Sequence, residues 1–306
     1  ALLHDAGNPP LSHLSEPFQR EVTGKDGESF LEDILSGSET AKILHNHGLD
    51  IEMIVKLVTG RLKPLSDILN GSMDIDNLDN IGRYNLYAHL GAPEYDAVRI
   101  ASCFRFDRFD NNKGWKLLWP SHKNAMKWKE ARATVYGSIY DSQHLNAAMM
   151  VYRAVEIAFT EGKLMKGFFY LDDSQAIDYL LNNCGAAVHG LIERALRWQW
   201  YTEIFTFETE NPSPNFEKLI SDSNWKGRRL LADIICSKIN IHPKDACVYI
   251  GAGKDRRKIT VPFELDGKFH YDENGDKPIY RVRVYIEPNL VTYKDKIHDL
   301  ILQEIN

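Results

Sequence analysis

The sequence predicts a mainly α-helical protein that ends in a small α+β region, and three observations predict it. Up to about residue 205, apolar residues recur at helical spacing, as in Ile51, Ile54, Val55 and Val58 and again in Val151, Ala154, Val155 and Ala158. Helix breakers fall between the periodic runs: Pro9-Pro10, Gly24, Gly27, Gly48, Gly60 and Pro64. Beyond residue 205 the style changes to short runs rich in β-branched and aromatic residues, at 246–250, 258–263 and 280–286.

Taken in order, the segment 51–58 is an amphipathic helix, 123–133 a charged, surface-facing helix, and 147–159 an apolar-faced one. Residues 205–222, with Asn211, Pro212, Pro214 and several Ser, read as a loop or linker. The chain is therefore expected to divide into a domain over 1–205 and a C-terminal α+β region over 206–306. The latter opens with a helix near 225–238. The run Arg281-Val282-Arg283-Val284-Tyr285-Ile286 alternates and predicts a sheet with one solvated face. Asn274-Gly275 within 272–277 predicts a hairpin turn, and a final helix covers 293–305. No internal repeat or low-complexity tract is present.

With 306 residues and 43% hydrophobic content, the chain can bury one sizeable core plus an appendage, or two domains. A net charge of −6 and a pI near 6.0 give no sign of a wholesale nucleic-acid binder, so nucleic acid is a possible partner that nothing indicates. A small anionic substrate is compatible with that charge, because a local cation offsets it. Cys103, Cys184, Cys236 and Cys247 are far apart and form no CxxC. That argues against a disulfide framework or a cysteine zinc site and for a reducing, cytoplasmic setting. No apolar run reaches the length of a membrane span and no signal peptide is visible. The chain opens at Ala1-Leu2-Leu3-His4-Asp5 without an initiator Met, which reads as an N-terminal truncation.

The chemistry concentrates in two segments. The first runs His4-Asp5-Ala6-Gly7-Asn8-Pro9-Pro10-Leu11-Ser12-His13-Leu14-Ser15-Glu16. Neutral imidazole and carboxylate suit a divalent first-row metal. A helix starting at Leu11 would put His13 and Glu16 on one face, and a carboxylate that orients a histidine makes a general acid/base unit. The second segment, Ser72–Tyr84, places Asp74, Asp76 and Asp79 in a helical run, with Asp76, Asp79 and Arg83 on one face and Ile75, Leu78 and Leu86 on a core-like face. Two readings stay open for it: a functional carboxylate set, or a solvated acidic face with an Asp79–Arg83 ion pair.

Together the segments resemble the HD superfamily of metal-dependent phosphohydrolases, whose signature is a His, then His-Asp, then a distant Asp. The string His4–Glu16 resembles the HD-x-GNPP-x-x-H-x-x-E string of bacterial deoxyguanosine triphosphate triphosphohydrolases. The second segment is similar to the D-x-D-x-x-D-Y-x-x-R-D helix of the vertebrate HD-domain dNTP hydrolase and its bacterial relatives. The resemblance covers residues 1–160, and 284–296 is similar to the C-terminal lobe of the same relatives. It implies an HD-domain helical bundle, with His4, Asp5 and Asp76 as ligands of a divalent metal (Mg, Mn, Fe, Co or Ni). It implies His13 and Glu16 as the catalytic pair, and Asn8, Asn77, Asn80, Arg83 and Tyr84 around the substrate. It also implies a further metal-ligating His upstream of residue 1. The family's Lys after the metal-binding Asp is Asn77 here, and its Tyr and final Asp are Asn80 and Tyr84, with Arg83 kept. The downstream Y-x-x-x-Y-x-H pattern is partly present as Tyr136, Tyr140 and His144.

The expected activity is metal-dependent hydrolysis of a nucleotide phosphoester or phosphoanhydride, with a dNTP giving deoxynucleoside plus triphosphate first in line. Alternatives are nucleoside monophosphates or alarmones as substrates, or a nucleotide-binding regulatory or assembly module with a degenerate site. The expected partners are the nucleotide and further copies of the chain in a homo-oligomer, with no membrane. Four other features are read as structure. His45-Asn46-His47 is a helix C-terminus before Gly48. The segment Gly251–Asp255 lacks the spacing of a phosphate-binding loop and is a turn. Lys254, Arg256, Arg257 and Lys258 form a solvated face. The six Trp serve packing.

Overall fold

Helices occupy most of the chain, as the periodicity predicts. The computed structural model describes residues 3–63, 65–71, 73–106, 115–220, 224–252, 261–271 and 279–306. The turn expected at 272–277, the basic run 254–258, Pro64 and Ser72 lie outside the described residues, as do 258–260 of the strand expected at 258–263.

In chain order the helices are α1 (Glu16–Thr23), α2 (Gly27–Leu35), α3 (Glu39–Asn46), α4 (Ile51–Val58), α5 (Asp67–Asn70), α6 (Ile75–Tyr87), α7 (Ala97–Ser102), α8 (His122–Ile139), α9 (Ser142–Thr160), α10 (Asp173–Asn183), α11 (Ala186–Leu196), α12 (Pro214–Ile220), α13 (Asn224–Ile239) and α14 (Lys294–Ile305). The strands are β1 (Phe104–Phe106), β2 (Trp115–Leu118), β3 (Thr202–Thr209), β4 (Ala246–Ala252), β5 (Pro262–Leu265), β6 (Lys268–Tyr271) and β7 (Tyr280–Ile286). Among the described residues no helix is long and apolar enough to cross a membrane. All four cysteines are free thiols.

Composition suggests a division near residue 205, whereas compactness groups the residues otherwise. One unit comprises 1–8, 27–139 and 256–276, and the other 9–26, 140–255 and 277–306.

The first unit packs α6, α7 and α8 with a four-stranded sheet of order β1-β2-β5-β6. Its core holds Met73, Leu78, Ile81, Ile100, Leu117, Trp128, Val135 and Phe263. A smaller cluster of Leu31, Leu35, Val55 and Val58 joins α2 to α4. β1 and β2 interrupt the mostly helical stretch expected up to residue 205; strands of three and four residues are too short to display an alternation. β2 pairs parallel with β5, Leu117 opposite Phe263. β5 turns into β6 through Asp266-Gly267, both at positive φ, which is the Asp-Gly hairpin signature.

Two helices bury other faces than their spacing predicts. α8 is not simply surface-facing, because Ala125, Trp128 and Val135 form a buried stripe between its charges. In α6 the buried stripe is Leu78, Ile81 and Asn85. Ile75 and Leu86 fall to one side of it and are 46% and 59% exposed. Asn85 is satisfied by the carbonyls of Ile81 and Ala131 at 2.8 and 3.3 Å.

The second unit contains the antiparallel sheet β3-β7-β4. Val282, Val284 and Ile286 pack with Leu231, Ile235, Ile297 and Ile301 in one core. The other face of β7 is not solvated, contrary to the alternation. Arg281 and Tyr285 are buried there, as is Cys247 opposite Tyr285 on β4. α9 packs on this face against β3 and β4, and the charges are compensated: Arg281 pairs with Glu208, and Arg283 donates to the Tyr140 carbonyl at 2.9 Å. The same unit buries Arg153 against Glu156 on α9.

The linker expected at 205–222 is instead β3 followed by α12. Phe205 and Phe207 sit in β3 and pack on the core, Pro214 opens α12 where a missing N–H costs nothing, and the Ser213 hydroxyl accepts the Phe216 N–H at 3.0 Å. The HNH triplet closes α3 as expected, with Gly48 at φ 69°. Gly251 and Ala252 belong to β4 rather than to a turn, and 253–255 lie outside the described residues. Trp128 and Trp225 are buried, but Trp198 is 78% exposed and its ring lies 5.2 Å from that of Trp200.

Candidate functional site

In the first unit, His4 and Asp5 sit in a tight turn, closed by the Ala6 N–H on the Leu3 carbonyl (3.2 Å) and the Asn8 N–H on the Asp5 carbonyl (2.9 Å). The Asn8 side chain donates to Asp5 Oδ1 at 3.0 Å and so fixes the carboxylate. The turn lies against the start of α2, where Gly7 meets Gly27 and Leu31 so closely that a Cβ has no room.

Asp76 comes from the first turn of α6, where a carboxylate suits the helix dipole. His4 Nε2 lies 3.1 Å from Asp5 Oδ2 and 3.8 Å from Asp76 Oδ2. Two sequence segments more than sixty residues apart thus meet at one imidazole nitrogen. Among the described residues no group of three or more His, Cys, Asp or Glu is spaced to enclose a metal ion. The three side chains instead contact one another through His4. Imidazole nitrogen and carboxylate oxygen are both donors that a divalent first-row metal accepts.

Asp74 holds the start of α6, a role the sequence left unassigned. It caps α6, accepting the Asn77 N–H at 2.7 Å, and both its oxygens take the Asn77 side-chain amide at 3.0 Å. Burial pushes its carboxyl above the ordinary range, the Asn77 hydrogen bonds oppose the shift, Asp76 adds to it and His4 counters it. The cap pattern Asp-x-x-Asn is the signal that could have found it.

Of the remaining expected residues, Asn77 is tied to Asp74. Arg83 Nε is held by Asp79 Oδ2 at 2.6 Å, so the ion pair weighed against a functional carboxylate set is present. Tyr84 packs against the core, and Asn80 is exposed.

His13 and Glu16 belong to the second unit. The helix expected from Leu11 is interrupted: a 3₁₀ turn over 12–14 precedes α1. The pair still forms, His13 Nδ1 lying 3.0 Å from Glu16 Oε2, with His13 87% exposed at its side chain. Arg20 stands 3.7 Å from Glu16 Oε1 and 3.6 Å from Asp26. Such a pair can relay a proton, because the carboxylate fixes the imidazole tautomer and stabilises its protonated form.

No protein-family model and no curated protein matches the chain. Among solved structures it is similar to a hypothetical protein from Aquifex aeolicus, at 18% identity and a TM-score of 0.68, over 98% of this chain and 78% of that one. That likeness shows the fold alone.

Proposed function

We propose that the chain is an HD-type metal-dependent phosphohydrolase acting on a nucleotide, with a deoxynucleoside triphosphate as the leading substrate and deoxynucleoside plus tripolyphosphate as products. The observation that carries the reading is the meeting of His4, Asp5 and Asp76 at one imidazole nitrogen. These are the positions that the resemblance to the HD superfamily implies as ligands, and they come from two separate motifs. His4, Asp5 and Asp76 would hold a divalent cation, which when bound polarises a phosphate and lowers the pKa of water. Asn8 holds the Asp5 carboxylate, and Asp74 with Asn77 holds the helix start that presents Asp76. Hydrolysis joins the water oxygen to the α-phosphorus and breaks its bond to the sugar 5′-oxygen. Within the second unit, the His13–Glu16 pair would supply the proton-relaying group that the resemblance implies.

One observation favours a second reading, a nucleotide-binding module without turnover: Asn77 and Arg83 are both engaged by neighbouring carboxylates rather than turned to a ligand. The two readings separate on one experiment. The protein is incubated with Mn²⁺ or Mg²⁺ and a panel of dNTPs, nucleoside monophosphates and guanosine polyphosphates, and Mn²⁺ binding is measured by calorimetry. Tripolyphosphate release and Mn²⁺ binding that both vanish in Asp76→Ala support the hydrolase. Saturable nucleotide binding without product from any substrate supports the module and overturns the enzyme.

A further inference from the structure

The turn that delivers His13 is held in a backbone conformation that its residues do not favour. Leu11 and Ser12 are consecutive non-glycine residues at φ 63° and 50°. Left-handed conformations of this kind persist only where surrounding bonds impose them, and they gather at functional sites. Local bonds account for part of the imposition. The Ser12 N–H donates to the Pro9 carbonyl at 3.0 Å, and the buried Ser15 hydroxyl donates to the Pro10 carbonyl.

A further bond comes from far along the chain. The Leu11 N–H donates to Asp173 Oδ1 at 2.8 Å, across 162 residues and within the second unit. Asp173 is the first residue of α10, but the helix does not need it as a cap. Its neighbour Asp172 already accepts the Gln175 N–H at 2.8 Å, and Gln175 Oε1 accepts the Asp172 N–H at 3.1 Å. The second carboxylate is therefore spent on Leu11, in a charge-assisted bond to the residue two positions before His13.

We propose that Asp173 is a positioning residue for His13: its carboxylate holds the left-handed turn at Leu11 and Ser12 and thereby the direction in which the His13–Glu16 pair points. The inference rests on the reading of His13 as the proton-relaying group. The test uses the full chain with dGTP and Mn²⁺, alongside amide hydrogen exchange at Leu11, which needs no turnover. Asp173→Ala should lower kcat about tenfold with KM within about twofold, and accelerate Leu11 exchange about tenfold or more. Asp173→Asn keeps an acceptor oxygen at the same place and should restore both. An Asp173→Ala protein with undiminished kcat, when His13→Ala is inactive, overturns the inference and leaves the functional reading standing. An Asp173→Asn protein as impaired as Asp173→Ala overturns the hydrogen-bond basis. A fully active His13→Ala protein overturns the reading of His13, and the inference with it.

Discussion

The closeness of Gly7 to α2 can be tested directly. A Cβ at residue 7 would stand 2.5 Å from the Leu31 nitrogen and closer still to the Gly27 carbonyl oxygen. Both are backbone atoms at the start of a helix and cannot swing aside as a side-chain tip can. Gly7 is not among the positive-φ glycines, so the cost of Gly7→Ala is steric alone. Forcing a carbon into a packed site costs about 1–3 kcal/mol, and the alanine's smaller unfolded-state entropy offsets about 0.4–1 kcal/mol of it. With two backbone atoms this close the cost falls at the upper end, about 2–2.6 kcal/mol net, and at about 2–4 °C per kcal/mol Tm should fall by roughly 4–10 °C. Gly137→Ala is the control: it lies in α8 with nothing within 4 Å of the new carbon, and should raise Tm slightly through helix propensity. Circular dichroism melts of the two variants decide the matter. Because the displaced turn carries His4 and Asp5, Gly7→Ala should also lose Mn²⁺ affinity in calorimetry. A Gly7→Ala protein that melts with the parent and binds Mn²⁺ equally would refute the close packing.

Three further outcomes are expected. Arg153→Met leaves Glu156 buried without its partner and should cost about 3–5 kcal/mol in urea denaturation, whereas an unchanged midpoint would mean that water reaches the pair. Burial pushes the Cys184 and Cys236 thiols up to about 11 and the Cys247 thiol up to about 12, so native protein at pH 8 should present one readily titrated thiol, the half-buried Cys103, and four after guanidinium. In the unfolded chain these thiols ionise near 9 while the folded state keeps their protons. Stability from this source is complete below pH 9 and lost as pH rises toward 11–12; a Tm that stays level between pH 8.5 and 10.5 would contradict it.

Elements with long, strongly periodic patterns were legible in the sequence. Ile51–Val58 and Tyr280–Ile286 are α4 and β7 to the residue. What stayed hidden depends on tertiary context. An alternating run such as β7 does not reveal whether its second face is covered. The proline-rich stretch after residue 205 looks like a linker until Pro214 is seen at a helix start. At the candidate site, the meeting of His4 with Asp76 was expected only from the resemblance to the HD superfamily. The roles of Asp74 and Asp173 were not expected, because each acts by holding backbone rather than by displaying a recognisable pattern. Ile75 and Leu86 misled because an exposed edge of a helix stripe carries the same residue types as its centre.

Each compact unit is threaded from three separate stretches, and the chain passes between the units five times. This has a consequence for synthesis. β2 emerges from the ribosome early, yet its parallel neighbour β5 follows about 145 residues later, so the sheet of the first unit cannot be completed until most of the chain has been translated. Both units must therefore finish folding late and nearly together. A gene fragment that ends anywhere between β2 and β5 should yield an exposed β2 edge and insoluble protein, and neither unit can be cut out as a contiguous piece for separate expression.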